Sequence, residues 1–192
     1  MTQFSQALQE SMAVLASLNE LEPALTRAAD KCSTSLIGGG KLLICGNGGS
    51  AAEAMHLVGE LVGRYKSNRA PMAAISLGTD PALTTCIGND YSYDELFSRQ
   101  VQGLGRKGDV LVVFTSSGRS PNVIYALKTA KEMGIESVAF LGKDGGPALA
   151  LADVAMVVRH NDTARVQEGH QFLMHSLMDQ IETAVAEAGA KK

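Results

Sequence analysis

The chain predicts an α/β domain with a five-stranded parallel sheet and helices on both sides. Three observations carry that reading. Short apolar runs recur at 41–45, 73–77, 109–114, 137–141 and 154–158. Each is largely β-branched or aliphatic throughout, as expected for strands buried on both faces. Segments suited to helices fill the gaps at 50–65, 80–87, 93–104, 121–133 and 145–151, which is the alternation of a parallel sheet. The length, 192 residues, fits one domain over 1–192 with a substantial core.

The first 37 residues read as two helices ahead of the 38–192 core. Phe4, Leu8, Met12 and Leu15 recur at spacings of three to four, and Leu21, Leu25, Ala28 and Ala29 resume that period after a break near Asn19-Glu20. Gly38-Gly39-Gly40 stops the second helix. An apolar helical face before the first strand needs a partner, either its own domain or another subunit. A last long helix is expected from about 164 to 188, followed by the short Lys191-Lys192 tail.

Composition narrows the function classes. The net charge is −3 and no basic stripe stands out, so nucleic-acid binding has no support. No apolar run approaches the roughly 20 residues that span a membrane. Met1-Thr2-Gln3-Phe4-Ser5 lacks the basic and apolar regions of a leader, so a cytoplasmic protein is expected. Cys32, Cys45 and Cys86 form no CxxC and read as reduced thiols.

Three loops at the expected carboxyl ends of strands are polar or rich in glycine, and ligands of such sheets bind there. Gly46-Asn47-Gly48-Gly49-Ser50 opens a helix, where free backbone N–H groups favour an anion. It is neither a dinucleotide fingerprint nor a P-loop. Thr115-Ser116-Ser117-Gly118-Arg119-Ser120 offers four hydroxyls before Pro121, a favoured first helical residue. Ser50 and Ser120 also fit as helix caps. Gly142-Lys143-Asp144-Gly145-Gly146 is the third loop.

His56 and Glu60, at i and i+4, leave one helix face. On the last helix, His175 shares a face either with Gln167 and Gln171 or with Glu168, and periodicity does not choose; His170 is rotated away. Two histidines and a carboxylate from two helices, with a further oxygen donor, fit a zinc site. Asn89-Asp90-Tyr91 fits a turn or a contact to sugar hydroxyls. Arg64 and Arg69 read as surface or inter-subunit pairs.

These motifs make the chain resemble the sugar isomerase (SIS-domain) family, and within it the phosphoheptose isomerases. The stretches are CGNGGSAAEAMHLVGELVGRY at 45–65, IGNDYSYDELFSRQV at 87–101, GDVLVVFTSSGRSPNV at 108–123, LGKDGG at 141–146 and RVQEGHQFLMH at 165–175. The resemblance implies a flavodoxin-like, three-layer SIS fold and a homotetramer with no nucleic-acid or membrane partner. It implies one Zn2+ per subunit on His56, Glu60, Gln167 and His175. Ser50, Thr115, Ser116, Ser117 and Ser120 would hold the phosphate of a seven-carbon sugar. Asn47, Gly48, Gly49, Asn89 and Asp90 would line the sugar, with Glu60 and Gln167 also in contact. Isomerisation between sedoheptulose 7-phosphate and D-glycero-D-manno-heptose 7-phosphate would use Glu60 and His175 as proton-transfer groups. Thr115 stands where the family often has Ser. Other SIS-domain proteins are non-catalytic regulators or isomerise other sugar phosphates, and the four metal positions argue against a regulator.

Overall fold

The computed structural model describes residues 1–190, so the Lys191-Lys192 tail lies outside the described residues. Helices α1 (Gln3–Ser17) and α2 (Glu22–Ile37) are joined by a 3-10 turn at Leu18–Leu21, at the predicted break. Thr2 caps α1 by accepting from the Ser5 amide at 3.1 Å. Then follow β1 (Leu42–Gly46), α3 (Gly49–Val58), β2 (Ala74–Ser76), α4 (Pro81–Asp90), α5 (Leu96–Leu104) and β3 (Val110–Thr115). The chain ends with α6 (Pro121–Glu132), β4 (Glu136–Gly142), β5 (Val154–Val158) and α7 (Thr163–Ala190).

All five strands are parallel, in the order β2-β1-β3-β4-β5. Alternate residues of each strand feed two cores. Leu42, Ile44, Val112, Phe114, Val138 and Phe140 pack against α1, α2, α3 and α7. Leu43, Cys45, Leu111, Val113, Ala139 and Leu141 pack against the α4–α6 side. This doubly covered sheet explains why the strands are continuously apolar. The three-layer, flavodoxin-like expectation is met.

Three predicted helices differ in extent. The 145–151 segment contains only a 3-10 turn at Pro147–Ala150, because Gly145 and Gly146 both take positive φ, +85° and +53°. The 80–87 helix continues to Asp90, so Asn89 and Asp90 form its last turn. The 50–65 segment is α-helical to Val58 and then widens into a π-helical turn, Gly59–Gly63.

The predicted stripe on α1 is left exposed: Phe4 is 76 % and Met12 62 % exposed, Leu8 and Leu15 are exposed as well, and α1 packs on the core through Val14 instead. Fully burying one such side chain contributes roughly 1.5–3 kcal/mol, so this face retains a strong tendency to associate. Among the described residues no helix is long and apolar enough to cross a membrane. Cys32, Cys45 and Cys86 are free, and burial pushes the Cys32 thiol up to about 12.

Candidate active site

The strand order reverses between β1 and β3, where open parallel sheets bind ligands beyond their carboxyl ends. A cavity of about 190 Å³ lies there, lined by Asn47, Gly49, Ser50, Phe114, Thr115, Ser116, Ser117, Ser120, Thr163 and Gln167. Gly49 and Ser50 belong to the first turn of α3, Ser120 precedes α6, and Thr163 begins α7. Three helix N-termini therefore meet at one cavity and favour an anion in it.

The hydroxyls are consumed only in part by local structure: Ser117 accepts from the Arg119 amide at 3.2 Å, but the serines at the helix starts are free of capping bonds. Ser120 occupies the N-cap of α6 yet makes no capping bond, and α3 is preceded by Gly48 rather than capped by Ser50. Thr115 Oγ1 accepts from the Gly118 amide at 3.2 Å, which tightens the loop. Gly118, at φ +63°, is indispensable, since a Cβ there would meet the Gly145 carbonyl oxygen at 1.9 Å. The Arg119 guanidinium is engaged with Asp144 through two bonds of 2.7 Å, which tie the serine-rich loop to the 142–146 loop. Hydrogen bonding to Arg119 holds the Asp144 carboxyl well below the usual carboxylate range.

Asn47 is oriented by a reciprocal amide pair with buried Asn122, 2.9 Å in each direction, and Tyr93 donates to its Oδ1 at 2.9 Å. Gly49 sits directly under Gln167, and a Cβ at Gly49 would lie 2.3 Å from Gln167 Nε2. This glycine is required by close approach, not by backbone angle. Gly48 does need its positive φ of +58° to enter α3.

His56, Glu60 and His175 offer nitrogen and carboxylate atoms that all lie within 4.8 Å of one another. Their donors and acceptors are arranged as a chain. The Gln171 amide contacts His56 Nδ1 at 2.9 Å and His175 Nε2 at 3.2 Å, and His56 Nε2 contacts Glu60 Oε1 at 2.9 Å. With the amide N–H groups donated to both rings, His56 carries its proton on Nε2 and gives it to Glu60. Tyr65 stacks on the His175 ring at 5.9 Å between centroids. Two imidazoles and a carboxylate converging from two helices are a donor set that suits zinc, and the glutamine that bonds both rings is Gln171, while the Gln167 amide lies against Gly49.

The alternatives on α7 separate by direction. Glu168 turns toward α1, accepting from Ser11 at 2.6 Å and from Arg165 at 2.5 Å, while Gln167 faces Gly49. His170 is fully buried and donates from Nε2 to the Leu141 carbonyl at 3.0 Å. Its Nδ1 stands 3.7 Å from buried Glu53 on α3, in line with its rotation away from His175.

Asn89 and Asp90 do not line this cavity; they are exposed at the end of α4, where Asn89 Nδ2 donates to Asp90 at 2.7 Å. Thr163, Asn122, Tyr93 and Gln171 are contributors that the sequence reading left without a role. Only Gln171 carried a signal, its place in the 167/171/175 row. Arg69, read as a surface or inter-subunit pair, instead bonds Glu182 within the chain, the two side chains 12 % and 10 % exposed.

Known proteins share this arrangement. The family model described as SIS domain matches residues 4–142. A phosphoheptose isomerase from Paramagnetospirillum magneticum is 50 % identical over 162 residues, covering 84 % of each chain. One from Geobacter sp. strain M21 is 48 % identical over 163 residues, covering 85 % of each. The structure of phosphoheptose isomerase GmhA from Neisseria gonorrhoeae superposes with a TM-score of 0.89 at 40 % identity, covering 94 % of this chain and 97 % of that one. Vibrio vulnificus NanR, at 17 % identity and a TM-score of 0.68, shares the fold alone. With its serine-rich loop, its His56/Glu60/His175 cluster and this breadth of similarity, the chain belongs to the SIS-domain family and, within it, to the phosphoheptose isomerases.

Proposed function

We propose that this protein is a ketose–aldose isomerase that interconverts sedoheptulose 7-phosphate and D-glycero-D-manno-heptose 7-phosphate, the first step toward an activated heptose for surface polysaccharide such as lipopolysaccharide. The observation that carries this reading is the hydroxyl-lined meeting of three helix N-termini, two of which, α3 and α7, lead on to the His56/Glu60/His175 cluster. The first feature suits a phosphate and the second suits proton transfer at carbon. The proteins named phosphoheptose isomerase support the choice of a seven-carbon sugar.

In this reading Ser50, Thr115, Ser116, Ser117 and Ser120 hold the phosphate, and its binding orients a reacting end remote from it. Asn47, Gly48 and Gly49 serve the sugar chain. Glu60 removes a proton from C1 while O2 gains one, leaving an enediol. Return of a proton to C2 and loss of one from O1 completes the aldose. His175 moves the protons between the two oxygens. Such general acid–base help contributes about 10²–10⁴-fold. His56, Glu60, Gln167 and His175 would hold one zinc ion per subunit, and when bound it would polarise the C1 and C2 oxygens. The exposed stripe of α1 supports association between copies, which this reading takes as a homotetramer acting in the cytoplasm.

The test is an NMR assay of purified protein with five-, six- and seven-carbon ketose phosphates in deuterated water. Turnover greatest with sedoheptulose 7-phosphate, deuterium at C2 of the aldose, and activity lost to a chelator and restored by Zn2+ are expected. Faster turnover of a shorter sugar would replace the substrate. Absence of turnover on all three, with metal supplied, would sink the enzyme reading in favour of a binding module.

A further inference from the structure

The helix that carries Glu60 does not end as an ordinary α-helix. Glu60 and Leu61 lie within the π-helical turn Gly59–Gly63, after which the backbone becomes extended at Arg64. Carbonyls in a last helical turn have no partner further along the helix. A widened turn is less regular still, and such turns recur at functional sites. Here the orphan carbonyls are claimed by one side chain. Arg69 Nη2 donates to the Glu60 carbonyl at 2.5 Å and Nη1 to the Leu61 carbonyl at 2.8 Å. The Met72 amide also donates to the Leu61 carbonyl, at 3.0 Å, and seals the returning chain against the turn.

The other edge of the guanidinium is held as firmly. Arg69 Nε donates to Glu182 Oε1 at 2.8 Å, and the Ser67 amide donates to Glu182 Oε2 at 3.2 Å. Burial alone would raise the Glu182 carboxyl, but these bonds outweigh it and hold the group below its ordinary value. Glu182 lies on α7, seven residues beyond His175, so the two share a helix face. One planar cation thus joins the backbone of Glu60 to the helix that presents His175. A lysine cannot reproduce it, because its ammonium lacks the fork that reaches carbonyl and carboxylate together.

We infer that Arg69 and Glu182 are positioning residues that set the placement of Glu60 relative to His175, and through it both metal affinity and turnover. The inference rests on the reading of Glu60 and His175 as the reacting and metal-binding pair. A second ion pair, Lys66 with Asp179, spans the same two segments but is 65 % and 48 % exposed. Exposed pairs of this kind contribute little, so it serves as an internal control.

The test compares Arg69→Gly, Arg69→Lys, Glu182→Gln and the control Asp179→Asn, each measured for Zn2+ affinity against a chelating dye and for kcat and KM. Both Arg69 variants should bind Zn2+ about 10–100-fold more weakly, the range typical of lost outer partners of metal ligands. Their kcat should fall on the order of tenfold or more while KM stays within about twofold, as expected for misplacement rather than lost substrate contacts. Glu182→Gln should lie between them and wild type, and Asp179→Asn should match wild type. Millimolar guanidinium should restore both readouts in Arg69→Gly, where sodium chloride at equal ionic strength does not. Wild-type affinity and kcat in either Arg69 variant would overturn the inference, as would a loss that guanidinium leaves unrepaired. If Arg69→Gly fails to fold, Arg69→Lys and Glu182→Gln decide by the same two readouts. A wild-type protein without turnover would refute the isomerase reading alone, since Zn2+ affinity still tests the strut. A wild-type protein that turns over sugar without binding Zn2+ leaves the kcat comparison to decide.

Discussion

The two ends of the one sheet differ in how far their polar groups are already spoken for. At the amino end lies the larger cavity, about 770 Å³, bordered by Lys31, Lys41, Asp109 and Glu136 among others. Four of its charges pair with each other, Lys41 Nζ with Asp109 Oδ2 at 2.6 Å and Lys31 with Glu136 at 2.6 Å, and the remaining two, Arg106 and Lys107, are exposed at its rim. Asp109 accepts two further bonds, from the Lys41 and Arg106 amides at 2.9 and 2.8 Å. Ser35 donates to the Gly108 carbonyl at 2.6 Å. At the carboxyl end the cavity is about 190 Å³, yet Ser120 makes no capping bond and three helices begin around it. Size alone would select the wrong end. Hydrogen-bonding capacity left open at helix N-termini selects the other. In a parallel sheet the helix following each strand must start at the carboxyl end, so positive helix ends gather there by topology.

The contrast breaks most sharply at Glu60. Glu60→Gln should lower kcat by roughly 10²–10⁴-fold while KM changes little, measured by steady-state kinetics at saturating Zn2+. Near-normal turnover would remove Glu60 from the reaction. Next in size is Gly49→Ala. The backbone there tolerates alanine, and the helix gains about 1 kcal/mol in propensity, but the new Cβ would press on Gln167 Nε2. Turnover and Zn2+ affinity should fall on the order of 10–100-fold with melting temperature held or raised. A folded, fully active variant would show that the placement of Gln167 is unimportant.

Ser120→Ala tests the phosphate loop. Losing one hydrogen bond to a charged group costs about 1.5–3 kcal/mol. KM and the inhibition constant of inorganic phosphate should therefore rise on the order of 10–100-fold with kcat nearly unchanged. An effect on kcat alone would move Ser120 from binding to chemistry. Smallest in consequence for activity is Asp109→Asn, which touches the satisfied end. Burial pushes the Asp109 carboxyl up, but hydrogen bonds from Lys41 and Arg106 outweigh it and leave the group below its ordinary value. A carboxylate lowered on folding stabilises the native state above its unfolded pKa, about 4, and that contribution is lost as pH falls through the folded value. Denaturant melts from pH 7 to pH 3 should show the wild type losing stability below about pH 4. Asp109→Asn should be about 1–3 kcal/mol less stable at pH 7 with a shallower acid slope and unchanged kcat. Equal slopes would show that Asp109 is not the group responsible.

Much of this was legible in the chain. The strands appear because both faces of the sheet are covered, which turns each into an uninterrupted apolar run such as Leu42-Leu43-Ile44-Cys45. His56 and Glu60 share a face because four residues make just over one helical turn. The same spacing carries 167, 171 and 175 along α7. These are local rules, and local rules survive in a single sequence. The rest depends on groups far apart in the chain. Glu168 points to Ser11 and Arg165, and Gln167 to Gly49, because α1 covers one side of α7 and α3 the other. Arg69 resembled any surface arginine until the fold brought it against the Glu60 carbonyl and Glu182. Thr163 and Asn122 carry no signal of their own. Periodicity determines which residues share a face. Only packing between elements decides what that face meets, because burial and pairing belong to contacts the chain makes with its distant parts.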